Sequence, residues 1–475
     1  MRCFRFLRPA KILFSARRSR LAGTLVFCLS CLPFLSPTAV AATPAFYPGV
    51  SEYQSLRAHE ALRAYYNGNM ARADRILRDL DLHEEAEKLP PLSRLLLTAM
   101  IGLTLQRDDA ADAADEARLR ALLDSAAEKG LRRCAANAGR PPESTCLLIE
   151  GGIRGLRAIL KLNTHPPTEV LGEGLDAVTL MEKALERDSS LRDAHMGLGI
   201  FHAIAASNTP RVVRGMLRAA GRGVSLDEGL AHLRLSGYEG QYTSVASQFY
   251  LIRFLSPYDD ELRREKTEIF RSLRETFPLS SHTLFLQGHE ALCFYPDSFY
   301  AGRARATLAR RIRAVEARDH AAARYVNLVK YQYALLDPDA PPRYRPDTTF
   351  DLGAWAFYPD FIEALRLRRE ILEADRAGTP LADRADQVRR IAAKRQALIA
   401  RIRKAAKPDA SGRVLLSPQN RGYLEWQVGD ALRAELFAPP PAGSARGARG
   451  GSQAADATAD TMSKSAGKSR KPPER

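Results

Sequence analysis

The chain has 475 residues, a formal net charge of +16 and 45% hydrophobic residues. Its richness in Ala, Leu and Arg is typical of a helical protein, and no stretch shows the sustained alternation of Val, Ile or Thr that indicates strands. Most of the positive charge lies in residues 1–41 and 439–475. The body between them lacks the concentrated basic footprint of a nucleic-acid-binding protein, so we predict no nucleic-acid partner.

Residues 1–41 are typical of a secretory signal peptide. A basic start without acidic residues precedes the apolar segment Leu21–Leu35, and residues 39–41 form a small-x-small cleavage site. The apolar segment is shorter than the ~20 residues of a membrane-spanning helix, so we predict cleavage; an uncleaved anchor and lipidation at Cys31 are the alternatives. The mature protein is predicted to be secreted across the inner membrane and to be periplasmic or envelope-associated.

Three cysteines follow the predicted signal. Cys134 and Cys146 flank a stretch of loop-like composition, and an oxidising compartment permits a disulfide between them. Two unrelated thiols are the alternative. Cys293 is predicted to be a buried small apolar residue.

Apolar residues at helical spacing, interrupted by Gly, Pro, Asn and Asp, predict a series of helical hairpins. The first occupies Ser51–Leu80 with a turn at residues 67–69, and a helix at 92–106 with a partner reaching 129 forms the next. An insertion opens at residues 208–210. A short basic helix is predicted at 211–220. Helix pairs are predicted within 168–207 and at 226–235 with 242–254, and further helices at 147–162, 259–276, 299–318 and 321–336.

Three segments resemble the tetratricopeptide repeat (TPR) family: Gly68–Leu80, Ala177–Gly199 and Phe270–Gly288. The second contains small residues at the family's positions, and Gly197 and Gly199 would let a neighbouring helix approach closely. The family repeats every 34 residues, whereas Gly199 and Gly288 are 89 positions apart. The resemblance therefore implies degenerate repeats with an insertion between them.

The resemblance implies an all-α fold, a right-handed solenoid of TPR-like α-hairpins with an insertion over residues 42–336. Residues 337–437 are predicted to form a C-terminal helical region, with helices at 359–376 and 381–407 and an amphipathic capping helix at Leu424–Leu436. Residues 438–475 are predicted to be a disordered basic tail, because Pro, Gly, Ser and charged residues replace apolar ones there.

Catalytic and metal-binding motifs are missing from the sequence. His59-Glu60, His83-Glu84 and His289-Glu290 begin like a zinc-protease helix, but none has a second His four residues after the first. No Gly-x-Ser-x-Gly elbow and no Walker loop occurs. We therefore predict a non-catalytic protein with no cofactor and no metal site, and an enzyme or enzyme subunit with a site between repeats stays open as the alternative.

The resemblance also implies a binding face, because the first helix of each repeat lines a concave surface in that family. Aromatic and Met side chains supply large contact areas at interfaces, although such stripes also form cores. The predicted partner-binding residues are Tyr65, Tyr66, Met196, Ile200, Phe285 and His289. We predict a protein–protein interaction scaffold of the bacterial cell envelope with an unidentified protein partner.

The helix predicted at Leu381–Lys407 is strongly basic. It could contact an anionic membrane or wall polymer, or it could be a solvated face. The first case would make the chain a periplasmic module attached to membrane or wall, which is a further alternative.

Overall fold

The computed structural model describes residues 47–432 except 107–112, 137–142, 162–164, 166, 209–210, 220, 295–302, 317–322, 408–415 and 417. The predicted signal peptide and the predicted basic tail lie outside the described residues. Every regular element in the described part is an α-helix or a short 3-10 turn, and none is a strand. The prediction of an all-α protein is thereby confirmed.

Seventeen α-helices occupy the described residues, and none of them is both long and apolar enough to cross a bilayer. They are α1 (Glu52–Tyr66), α2 (Met70–Ala86), α3 (Leu92–Gln106), α4 (Ala113–Ala136), α5 (Glu143–Lys161), α6 (Pro167–Arg187), α7 (Ala194–Asn208), α8 (Arg211–Ala219), α9 (Leu226–Glu239), α10 (Ser244–Phe254), α11 (Asp260–Thr276), α12 (Ser281–Phe294), α13 (Arg303–Glu316), α14 (Ala323–Leu336), α15 (Tyr358–Arg376), α16 (Leu381–Ala405) and α17 (Pro418–Ala431). Two 3-10 turns, Pro342–Tyr344 and Gly353–Trp355, lie between α14 and α15.

The first hairpin shows how local sequence builds these pairs. Ser51 begins α1 with a reciprocal cap: its hydroxyl accepts from the Gln54 backbone N–H, and its own N–H donates to the Gln54 side chain. Gly68 turns the chain before α2 with φ at +87°, a conformation that glycine adopts without steric cost. The Tyr53 ring contacts the His83 ring at 4.6 Å between centroids, so α1 and α2 run antiparallel.

Helices pack both with their chain neighbours and with the helix two places further on. In the first half, α1 contacts α2 and α3, α3 contacts α4 and α5, and α5 contacts α6 and α7. In the second half, α12 contacts α14, and α17 packs on both α12 and α16. In these regions a helix thus packs one side against the other helix of its hairpin and another side against a helix of the next hairpin.

Two glycines of α7 allow the closest helix contacts of the central region. A Cβ on Gly197 would lie 2.1 Å from the Met181 sulfur, and a Cβ on Gly199 would lie 2.7 Å from Leu233 Cγ and 2.9 Å from the Gly229 carbonyl oxygen. Real Cβ atoms do not tolerate such distances. The prediction that neighbouring helices approach closely at both glycines is confirmed, by α6 at one and α9 at the other.

The apolar core consists of two large clusters. One extends along the chain from Tyr47 to Phe277 and the other from Leu284 to Leu432. The division of the core therefore falls near residue 280, and α14, the last helix of the predicted array, shares the second cluster with α15. The domain boundary at 336/337 stays a prediction.

Contacts between distant parts of the chain close the first half on itself. The Tyr47 hydroxyl donates to the buried Asp193 carboxylate at 2.7 Å, and the same carboxylate accepts from the Tyr242 and Thr243 backbone N–H groups. The Tyr242 hydroxyl reaches back to the Ser55 hydroxyl on α1, 3.2 Å away. The segment that leads into α10 therefore packs against α1.

Candidate functional site

The face that we predicted to bind a partner lies in the interior. All six of its residues are buried, and none exposes more than 9% of its surface. The Tyr65 hydroxyl donates to the Met100 carbonyl oxygen at 3.2 Å, and the Tyr66 ring packs against Phe249 and Phe277. A partner cannot reach these side chains in this conformation, which favours the alternative that they form the core; their binding role stays an untested prediction. The residues are Tyr65, Tyr66, Met196, Ile200, Phe285 and His289.

Phe285 and His289 lie inside a cluster of rings. The His289 ring is within 6 Å, centroid to centroid, of Trp355, Tyr358 and Phe361 as well as Phe285. Burial lowers the pKa of His289 to about 4, so the ring is neutral at pH 7. The surrounding rings pack against His289 on several sides and leave its side chain inaccessible to a ligand.

A buried polar network holds α17 onto α11 and α12. Lys266 pairs with Glu290 at 2.6 Å, the Gln427 amide donates to the other Glu290 oxygen at 3.3 Å, and His289 Nε2 donates to the Gln427 carbonyl oxygen at 3.1 Å. Burial raises the pKa of Glu290 above its usual range. The His289-Glu290 pair singled out in the sequence therefore takes part in a buried network in which both side chains have hydrogen-bond partners.

A group of four rings, which we call the aromatic patch, lies at the surface between the α10–α11 turn, α12 and α17. Tyr258 and Trp426 expose 60% and 37% of their surfaces, and both pack on Phe294, at 6.0 and 5.2 Å between centroids. The Tyr423 ring lies 5.9 Å from Trp426 and has the Arg253 guanidinium 5.4 Å from its centroid. Two large rings, Tyr258 and Trp426, thus meet solvent while both pack on Phe294.

A basic surface of α16 lies beside the aromatic patch. Arg403 of α16 pairs with Glu425 of α17 at 3.1 Å, next to Trp426, while exposed Lys404 and Lys407 have no ion-pair partner within the described ranges. We call the surface formed by Arg403, Lys404 and Lys407 the basic face, and it borders a shallow depression of about 450 Å³. The depression is lined by Gln396, Ile399, Ala400, Arg403, Lys404 and Lys407.

Cys134 at the end of α4 and Cys146 at the start of α5 lie side by side as buried thiols. The interaction between the two thiols raises the pKa of Cys134 and lowers that of Cys146. The structure thus brings together the two cysteines that the sequence paired, and the disulfide itself stays a prediction. Cys293 is buried, as predicted.

A second candidate site lies between α7 and α9, and we call it the histidine–glutamate cluster: His195, His202, Glu228 and His232. One ligand-type atom from each of His202, Glu228 and His232 lies within 4.8 Å of the other two. His202 Nδ1 is 3.3 Å from a Glu228 carboxylate oxygen and has no hydrogen-bond partner in the part of the chain that is described. His195 Nδ1 lies 2.8 Å from His232 Nδ1.

Burial keeps the imidazoles of this cluster neutral. It lowers the pKa of His195 to about 4, and it lowers the pKa of His202 and of His232 as well. Positive neighbours act in the same direction on His195. At pH 7 each ring therefore carries one nitrogen lone pair that can accept a proton or bind a metal ion.

The sequence analysis missed this cluster, although signals for it exist. Glu228 and His232 are four residues apart on one helix face, and His195 and His202 are two turns apart on another. Only the contact between α7 and α9 joins the two pairs, and a pattern within one helix does not reveal which other helix packs against it.

Comparison with known proteins identifies no relative: no family model matches the chain, and neither a curated protein nor a solved structure does.

Proposed function

We propose that this chain is a non-catalytic, TPR-like helical scaffold that binds another protein through the aromatic patch and the basic face of α16. The fold proposed is the right-handed solenoid of α-hairpins that the sequence resemblance implies. The alternation of contacts from α1 to α7 supports it, because stacked hairpins place every second helix in contact. The proposed location is the bacterial envelope, on the basis of the signal-like residues 1–41.

The exposure of Tyr258 and Trp426 is the observation that carries the proposal. Rings of this size bury 150–250 Å² each when they are covered, so leaving them in water forgoes a large hydrophobic stabilisation. Trp, Tyr and Arg are the residues enriched at interface hot spots, and the patch combines Trp426 and two tyrosines with Arg253. A protein partner is the occupant that this composition fits.

The charge beside the patch indicates the chemistry of that partner. Residues 381–407 contain nine basic and two acidic residues, and Lys404 and Lys407 remain exposed next to the Arg403–Glu425 pair. An acidic segment on the partner would complement this surface and raise the rate of association. The same charges would be screened by salt, so the association should weaken as ionic strength rises.

The test compares three forms of the chain beginning at residue 42: the wild type, Tyr258→Ala/Trp426→Ala, and the control Tyr238→Ala. Tyr238 exposes 57% of its surface outside the patch, so it matches the loss of an exposed ring. Candidates are captured from an envelope extract, and binding is then measured with the purified partner by calorimetry at two salt concentrations.

We expect a protein that binds the wild type and the control equally and binds the double variant at least 30-fold more weakly, as befits hot spots of 2 kcal/mol or more. The proposal fails if the double variant retains every partner with unchanged affinity. It also fails if the patch binds vesicles of anionic lipid and no protein, or if the chain turns over a small substrate without a partner.

A further inference from the structure

We infer that His202, Glu228 and His232 bind one transition-metal ion of the Zn²⁺ class between α7 and α9, with His195 as a positioning residue. This site is independent of the proposed partner surface. It lies on helices of the first core cluster, whereas the aromatic patch is built largely on α12 and α17 around the second.

The two helices are held at the distance that such a site needs. Gly199 of α7 and Gly229 of α9 meet backbone to backbone: a Cβ on Gly229 would lie 2.8 Å from the Ala203 nitrogen. Three residues further along each helix, His202 and His232 occupy the same side as this contact. The glycine contact thus fixes the donors from two rigid helices, which position ligands more accurately than loops do.

The spacing of the donors suits a tetrahedral ion. Bonds of about 2.0–2.1 Å to nitrogen and oxygen place two ligand atoms of a tetrahedral Zn²⁺ site about 3.3 Å apart. His202 Nδ1 and the Glu228 oxygen are already 3.3 Å apart, and the set lies within 4.8 Å. Small side-chain rotations of His232 would complete the site, and an ion would give His202 Nδ1 the partner that it lacks.

His195 supplies the outer contact that metal-binding imidazoles usually have. Its Nδ1 lies 2.8 Å from His232 Nδ1, and His195 can accept the proton that His232 carries there. That hydrogen bond fixes the tautomer of His232 and leaves Nε2 with the lone pair for the ion.

The donor set selects the class of ion. Two imidazoles and one carboxylate suit Zn²⁺ and its neighbours Co²⁺ and Ni²⁺, whereas Mg²⁺ and Ca²⁺ prefer oxygen ligands. Three protein ligands leave a fourth position for water. The Glu228 side chain is half exposed, so the site can exchange its ion and its water with solvent.

Calorimetry tests this with the untagged chain beginning at residue 42, first dialysed against a chelator and then titrated with Zn²⁺. We expect one ion per chain, and binding at least 10-fold weaker in His202→Asn, in His232→Asn and in Glu228→Gln. The control His165→Asn, an exposed imidazole outside α7 and α9, should bind as the wild type does. Because the Glu228 side chain is half exposed, Glu228→Gln keeps the test valid if a histidine variant fails to fold.

The role of His195 has its own readout. His195→Ala should weaken Zn²⁺ binding 10- to 100-fold and shift the visible absorption of bound Co²⁺, while His195→Gln, whose amide can accept from His232, should restore much of both. The inference is overturned if the wild type binds no Zn²⁺, or if Glu228→Gln and the folded histidine variants bind it as His165→Asn does. An unchanged Co²⁺ spectrum and affinity in His195→Ala would remove the positioning role alone.

Discussion

Lys266 Nζ lies 2.6 Å from Glu290 Oε1, and neither residue exposes more than 4% of its surface. A buried ion pair contributes little net stability compared with apolar residues, but removal of one partner strands the other charge. We expect Lys266→Met to lower the free energy of unfolding by about 3–5 kcal/mol. In Lys266→Met/Glu290→Gln most of that loss should return, since a neutral amide still accepts from Gln427. Urea unfolding followed by circular dichroism measures both.

The control for this pair is the exposed Glu128–Arg132 pair, in which both side chains are more than half exposed. Arg132→Met should change the stability by no more than about 0.5 kcal/mol, as is usual for surface pairs. If Lys266→Met/Glu290→Gln is as unstable as Lys266→Met, the loss of stability comes from packing around residue 266 and not from an unpaired Glu290 charge.

The depressed pKa of His289 should make the folded protein less stable as the pH falls into the mildly acidic range. Its pKa is about 4 in the folded chain against about 6.5 in an unfolded one, so the unfolded state takes up a proton first as the pH falls. The stabilisation is complete above pH 6.5 and is lost between about 6.5 and 4, by up to about 3 kcal/mol.

The measurement is the difference in free energy of unfolding between the wild type and His289→Gln from pH 8 to pH 4.5. We expect this difference to shrink towards low pH. Glu84, whose pKa burial raises to about 7, acts in the opposite direction, but it is present in both proteins and cancels. Parallel pH curves for the two proteins would contradict the assignment to His289.

A side chain at position 199 should destabilise the protein. A Cβ there would meet Leu233 and the backbone of α9 at 2.7–2.9 Å, and backbone cannot move aside as a side-chain end can. Gly199→Ala is expected to cost about 1–3 kcal/mol. Its control is Gly172→Ala, on α6, where a Cβ would meet nothing within 4 Å and the helix should gain up to about 1 kcal/mol. Equal stabilities of the two variants, by thermal unfolding, would refute the close contact.

Cys134 and Cys146 should form a disulfide when the chain is folded under oxidising conditions, because the two buried thiols are near enough to shift each other's pKa. The bridge would close a short loop and add about 3 kcal/mol by loop entropy. Peptide mapping by mass spectrometry should find this pair linked and Cys293 as a thiol. Alkylation of both Cys134 and Cys146 in the oxidised, denatured chain would exclude the bridge, and Cys134→Ser/Cys146→Ser measures its contribution to stability.

Local patterns in the sequence were enough to predict the helices and the hairpins that they form. Helical periodicity depends on residues three and four apart, and the turn at Gly68 depends on the residues next to it. These predictions agree with the structure because each element is specified within some 30 residues. The pairing of Cys134 with Cys146 is a similarly short-range inference.

Which flank of each hairpin faces water is decided by tertiary structure alone. Tyr66 and Phe285 are aromatic residues of the kind found at interfaces, yet Phe249 of α10 packs on Tyr66 and the ring cluster around Trp355 covers Phe285. Burial of an apolar flank lowers the free energy whichever distant helix supplies the cover, and no local pattern states which one will. The histidine–glutamate cluster and the aromatic patch depend in the same way on helices far apart in the chain, so they became visible only once the helices were packed.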